Sequence, residues 1–299
     1  MLCTELKLSI ADIIVHLVSV DSHSSFSLSD TYSRFVANND DAPDVVLRVH
    51  LRDIRDIPHI EDGRLVFGAE EVYRLYRTEE GYIIRCAVPS ADNPEVSQIA
   101  RLGILQPDWK RGDIYMVDSR PRGLDYLFRV LMVHVVVAHQ AMDFHACGVM
   151  DDGRGMIFTG PSGSGKTTTA NLWDGEERVN VLSDERIIVR KRNGAFWVYG
   201  TPWYGEGGYT FPGGARLDRI FLIKHAGKNE VISLAGMEAM SALLPRVRFP
   251  SFEEWASTCV LEMCSELSAQ VPCYELGFVP DKQVVHMIRG MALERREIC

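Results

Sequence analysis

A short loop carries the clearest chemical pattern in this 299-residue sequence. Residues 160–167 read Gly-Pro-Ser-Gly-Ser-Gly-Lys-Thr, which matches G-x-x-x-x-G-K-[ST] at every fixed position. In such a loop, glycines let consecutive backbone N–H groups surround phosphate oxygens, the lysine reaches the β- and γ-phosphates, and the threonine hydroxyl binds Mg²⁺. We therefore expect ATP and Mg²⁺ as cofactors. The expected nucleotide-binding residues are Gly160, Pro161, Ser162, Gly163, Ser164, Gly165, Lys166, Thr167 and Thr168.

Two carboxylates and a histidine lie near this loop in the chain. Asp184 and Glu185 end the next apolar run after the loop, and His145 lies on the strand expected to pair with the one that leads into it. Taken alone, such a histidine is more often a core residue, and an acid pair at a strand end is common. Their placement around a phosphate-binding pattern favours catalytic roles.

The chemistry of phosphoryl transfer suggests a role for each residue. This reaction depends on positioning and charge neutralisation more than on covalent chemistry. We expect Asp184 to take the proton of an acceptor hydroxyl, and His145 either to hydrogen-bond Asp184 and orient it or to tune the pKa of Asp184. Thr167 and Glu185 are the expected Mg²⁺ ligands, because this cation prefers oxygen. The predicted catalytic residues are therefore Asp184, His145 and Lys166.

Other residues are candidates for contacts with the transferring phosphate or with the acceptor. Arg186, Arg216 and Arg248 are available to neutralise the phosphate, and the sequence does not decide among them. Trp203 and Tyr204 either line an acceptor cleft or pack against their neighbours.

These motifs together resemble the catalytic domain of HPr serine kinase/phosphorylase, whose nucleotide-binding core is shared with phosphoenolpyruvate carboxykinase. The resemblance rests on His145, the 160–167 loop and the run Ser183-Asp-Glu-Arg186. It covers roughly residues 125–200, and residues 200–299 more loosely. It implies an α/β fold with a mixed-sheet P-loop kinase core. The segments 200–206 and 271–276 resemble HPr-kinase-like proteins of unassigned acceptor, some of which are similar to peptide-modifying kinases.

The sequence also departs from that family. The second acid is Glu185, whereas the family usually has aspartate. The family signature L-E-x-R-G-x-G is absent, and the nearest match is Tyr204-Gly-Glu-Gly-Gly208. The N-terminal half does not resemble the family's regulatory domain. These differences leave the nucleotide chemistry intact and argue against HPr itself as the acceptor.

The elements that must position these residues change in character near residue 120. Residues 1–120 form a predicted β-rich N-terminal region of unknown role, with strands at 5–10 and 45–51, a turn at 38–41 and a hairpin around 79–81. Residues 121–299 form the predicted catalytic domain, an α/β unit with a mixed sheet. In it we expect a helix at 124–142 and later helices near 167, 237–244, 252–269 and 281. Its expected strands are 144–149, 156–159, 179–182, 187–190, 196–199, 220–223 and 274–278.

Composition limits the class of protein. Hydrophobic residues make up 46% and charged residues 24% of the chain, which excludes disorder and coiled coil. The net charge of −9 argues against nucleic acid as a partner. The seven cysteines contain no C-x-x-C pair, which favours a reducing cytoplasm. The most apolar stretch, 130–138, is interrupted by His134 and is shorter than the roughly 20 residues that a bilayer requires, so no membrane association is expected.

We therefore expect a kinase that transfers the γ-phosphate of ATP to a hydroxyl, preferably of serine, on a peptide, protein or small molecule. One alternative is a non-catalytic ATP-binding module that regulates or binds a partner. A third alternative is a carboxykinase-like lyase or another phosphoryl-transfer chemistry on the same fold, although no separate group of residues for a carboxylate substrate and a second metal is evident. The sequence names neither the acceptor nor the oligomeric state, and a homo-oligomer remains open.

Overall fold

The chain folds into two compact units in the computed structural model. The structure describes residues 2–21, 24–37, 42–58, 63–69, 73–89, 97–117 and 121–291. The first unit comprises residues 1–138 and the second residues 139–299. The sequence predicted a division near residue 120. The difference arises because the helix after that point packs within the first unit.

The first unit is β-rich. Its strands are β1 (Leu2–Cys3), β2 (Glu5–Ile10), β3 (Ile13–Ser19), β4 (Phe26–Ser27), β5 (Val45–Leu51), β6 (Arg64–Ala69), β7 (Tyr73–Arg77), β8 (Tyr82–Pro89), β9 (Ser97–Leu105) and β10 (Arg111–Met116). Short 3₁₀ helices span Asp30–Phe35 and Ile54–Asp56, and helix α1 spans Pro121–Ala138. Within the described residues, eight strands form a sheet in the order β2-β3-β5-β10-β9-β8-β7-β6, and β1 pairs with β4.

One face of the eight-stranded sheet packs against α1. The helix approaches the sheet where Gly103 has no side chain, so that a Cβ there would lie 3.6 Å from Leu127. The Trp109 ring stacks between the rings of Tyr82 on β8 and His134 on α1, with centroid distances of 4.4 and 4.0 Å. This stack is buried and anchors α1 to the β9–β10 connection.

The second unit is a mixed α/β structure. Its strands are β11 (Ala141–Asp151), β12 (Arg154–Thr159), β13 (Val179–Ser183), β14 (Arg186–Arg192), β15 (Ala195–Tyr199), β16 (Gly214–His225), β17 (Glu230–Leu234), β18 (Val247–Arg248) and β19 (Cys273–Phe278). Its helices are α2 (Lys166–Trp173), α3 (Gly236–Leu243), α4 (Glu254–Gln270) and α5 (Gln283–Gly290), with a 3₁₀ helix at Leu244–Arg246.

Strand β11 organises the sheet of the second unit. Its residues pair with β12, β13, β14 and β18, all in antiparallel register. The pairing of β12 with β16, and of β16 with β19, is parallel. Helices α2 and α5 cover this part of the sheet with Trp173 and Val285, which join the core around Phe158 and Phe221. The start of α2 is therefore fixed where β12 ends.

Most expected elements of the second unit are present. The hairpin between β14 and β15 turns at Asn193-Gly194, where both residues have positive φ. The predicted end of the helix at residue 142 was wrong. The helix ends at Ala138, because Gln140 adopts a left-handed φ of 53° and Ala141 begins β11. In the first unit the hairpin at 79–81 is confirmed, whereas the expected turn at 38–41 lies outside the described residues.

Across the part of the chain that the structure describes, every helix is too short or too polar to cross a lipid bilayer.

Candidate functional site

The 160–167 loop connects β12 to α2, the strand–loop–helix order that its sequence pattern requires. Gly163 and Gly165 have φ values of 75° and 102°, which only glycine adopts without strain. Gly160 has no room for a side chain, because a Cβ there would lie 2.6 Å from the Ser164 Oγ. The backbone of the loop is thus tightly wound at the N-terminus of α2, where backbone N–H groups and the helix dipole favour an anion.

The polar groups of the loop suit a phosphate ligand. The Lys166 Nζ donates to the carbonyl oxygens of Gly160 (3.3 Å) and Pro161 (3.1 Å), so the ammonium lies over the loop. The buried Ser164 Oγ has no hydrogen-bond partner among the described residues. Such an orphaned hydroxyl inside a glycine loop is the kind of group that a bound oxyanion would satisfy.

A histidine that the sequence analysis missed supports the loop from β16. The His225 Nε2 lies 2.9 Å from the Gly163 carbonyl oxygen, and its ring stacks on Phe278. The Phe278 ring also lies below Gly165, where a Cβ would approach it to 2.8 Å. No local motif marks His225, because only the parallel pairing of β16 with β12 brings it to the loop.

Thr167 and Asp184 provide the oxygens expected at a magnesium site. The Thr167 Oγ1 lies 3.5 Å from the Asp184 Oδ2. Adjacent octahedral ligands at about 2.0 to 2.1 Å from Mg²⁺ lie about 2.9 Å apart, so the two oxygens would have to approach by about 0.6 Å to contact one ion together. The described residues contain no group of three or more potential metal-ligating side chains. A hydroxyl and one carboxylate nevertheless fit Mg²⁺, which takes its remaining ligands from water and substrate phosphates.

Asp184 is held by the backbone of a glycine-containing segment. Its Oδ1 accepts a hydrogen bond from the Gly205 N–H (2.9 Å), and its Oδ2 accepts one from the Gly207 N–H (2.7 Å). The residue is only 1% exposed. A Cβ on either glycine would lie within 2.9 Å of the Asp184 Oδ2. Each carboxylate oxygen of Asp184 is therefore held by one backbone N–H group of this segment.

Glu185 contacts different residues from its neighbour. Its Oε2 lies 3.3 Å from the His145 Nε2, and its Oε1 accepts a hydrogen bond from the Arg248 Nη2, also at 3.3 Å. We expected His145 to contact Asp184, but its carboxylate partner is Glu185. The side chain is 34% exposed. The hydrogen bond with His145 lowers the pKa of Glu185, against the effect of partial burial, and Arg248 lowers it further, so the carboxylate is ionised at neutral pH.

Two arginines reach this site from the segment between α3 and α4. Strand β18 pairs with β11 so that Arg248 opposes Asp143. Asp143 and His145 share one face of β11, so Arg248 lies on the face that carries His145, and Arg246 lies in the 3₁₀ helix that precedes β18. The Arg246 Nε is buried and lacks a hydrogen-bond partner among the described residues. Burial lowers the pKa of Lys166, Glu185 opposes this effect, and the charges of Arg246 and Arg248 add to it. The charges of Glu185, Arg246 and Arg248 therefore act on Lys166.

The structure distinguishes among the three arginines that the sequence left open. Arg186 is buried, forms an ion pair with Asp143, and stacks over the Trp203 ring at 4.9 Å. Arg216 pairs in register with Arg154, at the end of β12 away from the loop. At about 3.3 Å per residue, the five residues from there to the end of β12 place Arg216 some 17 Å away. Arg248 forms a hydrogen bond with Glu185 of the acid pair.

The remaining predicted residues have simpler positions. Pro161 and Ser162 are exposed at the tip of the loop, and Thr168 is half-buried in the first turn of α2. Trp203 packs in the interior, whereas Tyr204 is exposed. The glycines of the 205–208 run were visible in the sequence, but their contact with Asp184 was not.

The comparison with known proteins adds no relative to this description. No protein-family model and no curated protein sequence matches the chain.

Proposed function

We propose that the second unit is an ATP-dependent kinase that transfers the γ-phosphate to a hydroxyl of a peptide, protein or small molecule, with serine as the preferred acceptor. One observation carries the proposal. The tightly wound 160–167 loop, with Lys166 over it and an orphaned Ser164 hydroxyl inside it, lies beside two carboxylates held by different partners. A protein that only binds ATP does not require the second, more exposed carboxylate, that of Glu185.

The proposed step conserves atoms and charge. The acceptor oxygen forms a bond to the γ-phosphorus, the bond from that phosphorus to the β,γ-bridging oxygen breaks, and ADP leaves with the electron pair. The hydroxyl proton passes to a carboxylate of the protein. Lys166, Arg246 and Arg248 contribute positive charge beside the loop, which stabilises the negative charge spread over the transferring group.

The geometry favours Glu185 as the base and Asp184 as the metal ligand, which reverses the roles expected from the sequence. A base must reach the acceptor hydroxyl, and Asp184 is buried with backbone donors on both oxygens. Glu185 is more exposed, and its two contacts are long. We therefore assign proton acceptance to Glu185, with His145 as its positioning residue.

Asp184 and Thr167 are the protein ligands that we assign to Mg²⁺, in direct contact or through water. When bound there, Mg²⁺ would neutralise charge on the β- and γ-phosphates. The Asp184 carboxylate also accepts the hydrogen bonds from Gly205 and Gly207. The same carboxylate therefore holds both the proposed metal ion and the segment that covers the acid pair.

The test is incubation of the full-length protein with γ-labelled ATP and Mg²⁺, together with pools of peptides, proteins and hydroxyl-bearing small molecules. We expect the label to appear on a hydroxyl acceptor. The matched control is Lys166→Ala, which removes the cation over the loop and should abolish transfer. Calorimetric titration with ATP and Mg²⁺ reports binding separately. Binding without any transfer would favour the non-catalytic module, and absence of binding would refute the proposal as a whole.

A further inference from the structure

The segment that covers Asp184, residues 203–207, is fixed at both ends. On its N-terminal side, the Trp203 carbonyl oxygen accepts hydrogen bonds from the buried hydroxyls of Ser183 (3.0 Å) and Thr201 (3.2 Å). On its C-terminal side, the Tyr209 hydroxyl donates to the side chains of Asn171 and Asp174 on α2. The segment is therefore a rigid edge of the candidate site.

Side chains alternate along this segment. Trp203 is buried, and Gly205 and Gly207 face Asp184 through their N–H groups. The residues between them, Tyr204 and Glu206, are exposed, with Tyr204 at 50%. Successive Cα atoms are about 3.8 Å apart, so both exposed side chains start within one residue of the backbone that touches the acid pair.

Neither exposed side chain has a structural role within the described part of the chain. Tyr204 and Glu206 make no hydrogen bond, ion pair or ring contact with any described residue. Their neighbours, in contrast, use their backbones to hold Asp184. An aromatic ring and a carboxylate are thus presented together at the edge of the site, on backbone that is hydrogen-bonded to Asp184.

We propose that Tyr204 and Glu206 select the acceptor, and that the acceptor is a hydroxyl-bearing peptide segment with an arginine or lysine close to the hydroxyl. This inference rests on the proposed kinase function. An aromatic face attracts a cation, and a carboxylate pairs with a guanidinium or an ammonium. Arg248, which pairs with Glu185, repels such a group, so we assign its binding to the Tyr204–Glu206 edge.

The geometry of the site limits how far the basic residue of the acceptor peptide can lie from the hydroxyl in its sequence. An extended peptide advances about 3.3 Å per residue. Because Tyr204 and Glu206 flank Gly205, which touches Asp184, the basic residue lies within about three residues of the hydroxyl. A free amino acid or an acidic peptide does not fulfil this requirement.

The experiment compares serine peptides that differ only in the flanking charge. Peptides with arginine, glutamine or glutamate at each position within three residues of the serine are incubated with γ-labelled ATP, Mg²⁺ and the full-length protein. We expect arginine peptides to be labelled with roughly tenfold higher kcat/KM than glutamate peptides, which is the combined effect of one exposed ion pair and one cation–π contact.

Variants assign this preference to the two side chains. Glu206→Gln should reduce the preference mainly through KM, and Glu206→Arg should reverse it in favour of glutamate peptides. Tyr204→Ala should weaken the preference for arginine, whereas Tyr204→Phe should preserve it, because the ring face is retained. ATP binding measured by calorimetry should be the same in all four variants.

The outcomes separate this inference from the proposed function. Labelling that ignores peptide charge, or a preference for arginine that persists in Glu206→Arg, overturns the assignment of the acceptor class while the kinase proposal stands. ATP binding without labelling of any peptide also overturns it. Failure to bind ATP refutes the proposed function itself.

Discussion

At the scale of single residues, the adjacent acids Asp184 and Glu185 should respond differently to the same chemical change. In Asp184→Asn, one carboxylate oxygen becomes an NH₂ group that opposes the N–H of Gly205 or Gly207. We expect this variant to require at least tenfold more Mg²⁺ for ATP binding, since a charged oxygen ligand is lost.

Glu185→Gln should bind ATP and Mg²⁺ normally and lose about 10²- to 10⁴-fold in the rate of transfer, the range for a positioned base. Calorimetry and single-turnover transfer measure the two effects separately. The opposite pattern, with Asp184→Asn defective only in rate, would return the base role to Asp184.

The glycines beside Asp184 give a second prediction at this scale. A Cβ on Gly207 would lie 2.8 Å from the Asp184 Oδ2 and from the Tyr209 ring. Gly207→Ala must therefore displace the carboxylate, and we expect kcat/KM to fall by about 10²-fold, as a misplaced group of this kind costs. Gly227→Ala is the matched control, because a Cβ there has no heavy atom within 4 Å. Equal activity of the two variants would contradict the positioning role of the 203–207 segment.

Sequence reasoning located most of this site but not its internal contacts. The glycine pattern identified the loop, and the acids and His145 lie near it, because a strand–loop–helix motif is local. The contact of His145 with Glu185 instead of Asp184 depends on the turn between β13 and β14 and is not encoded in spacing. Asp143 and Arg246 were missed, although each lies two residues from a residue already singled out, Asp143 from His145 and Arg246 from Arg248.

At the scale of elements, a helix, strand or turn was predicted correctly where residues close together in the sequence determine it. The hairpins at 79–81 and 193–194 were predictable from glycine-containing turns. The end of α1 was not, because only His139 and Gln140 separate the apolar residues of the helix from those of the buried strand β11, and the left-handed backbone at Gln140 is not visible in the hydrophobic pattern. Pairing of the short β18 with β11 also follows from tertiary structure alone.

Helix α1 contains a buried titratable group that links the stability of its unit to pH. Burial lowers the pKa of His134 from its ordinary value of 6.5 to about 4. Between these values the unfolded chain binds a proton and the folded unit does not, so stability falls as pH decreases from about 6.5 to about 4. A shift of this size corresponds to about 3 kcal/mol.

Urea unfolding followed across this pH range tests the effect. His134→Leu should remove most of the pH dependence of the midpoint, whereas His286→Gln, at an exposed position on α5, should leave it unchanged. If wild type and His134→Leu lose stability in parallel as the pH falls, the dependence arises elsewhere.

At the scale of the whole molecule, each unit has its own core, and only the second contains the proposed nucleotide site. We expect two calorimetric unfolding transitions. A ligand at one hundred times its Kd stabilises its binding unit by about 2.7 kcal/mol, so ATP with Mg²⁺ should raise the midpoint of one transition. Lys166→Ala should abolish that shift. Equal shifts of both transitions would show that nucleotide binding stabilises the two units together.

The contacts between the 203–207 segment and Asp184 have a consequence for how this protein can change over evolutionary time. Gly205 and Gly207 hold the carboxylate through main-chain N–H groups, so those bonds do not depend on which side chains occupy positions 204 and 206. Mutations at these two positions can therefore accumulate without loss of the catalytic arrangement. Descendants of one ancestral gene can acquire new acceptors by replacing two exposed residues, while Gly205 and Gly207 remain under strict selection.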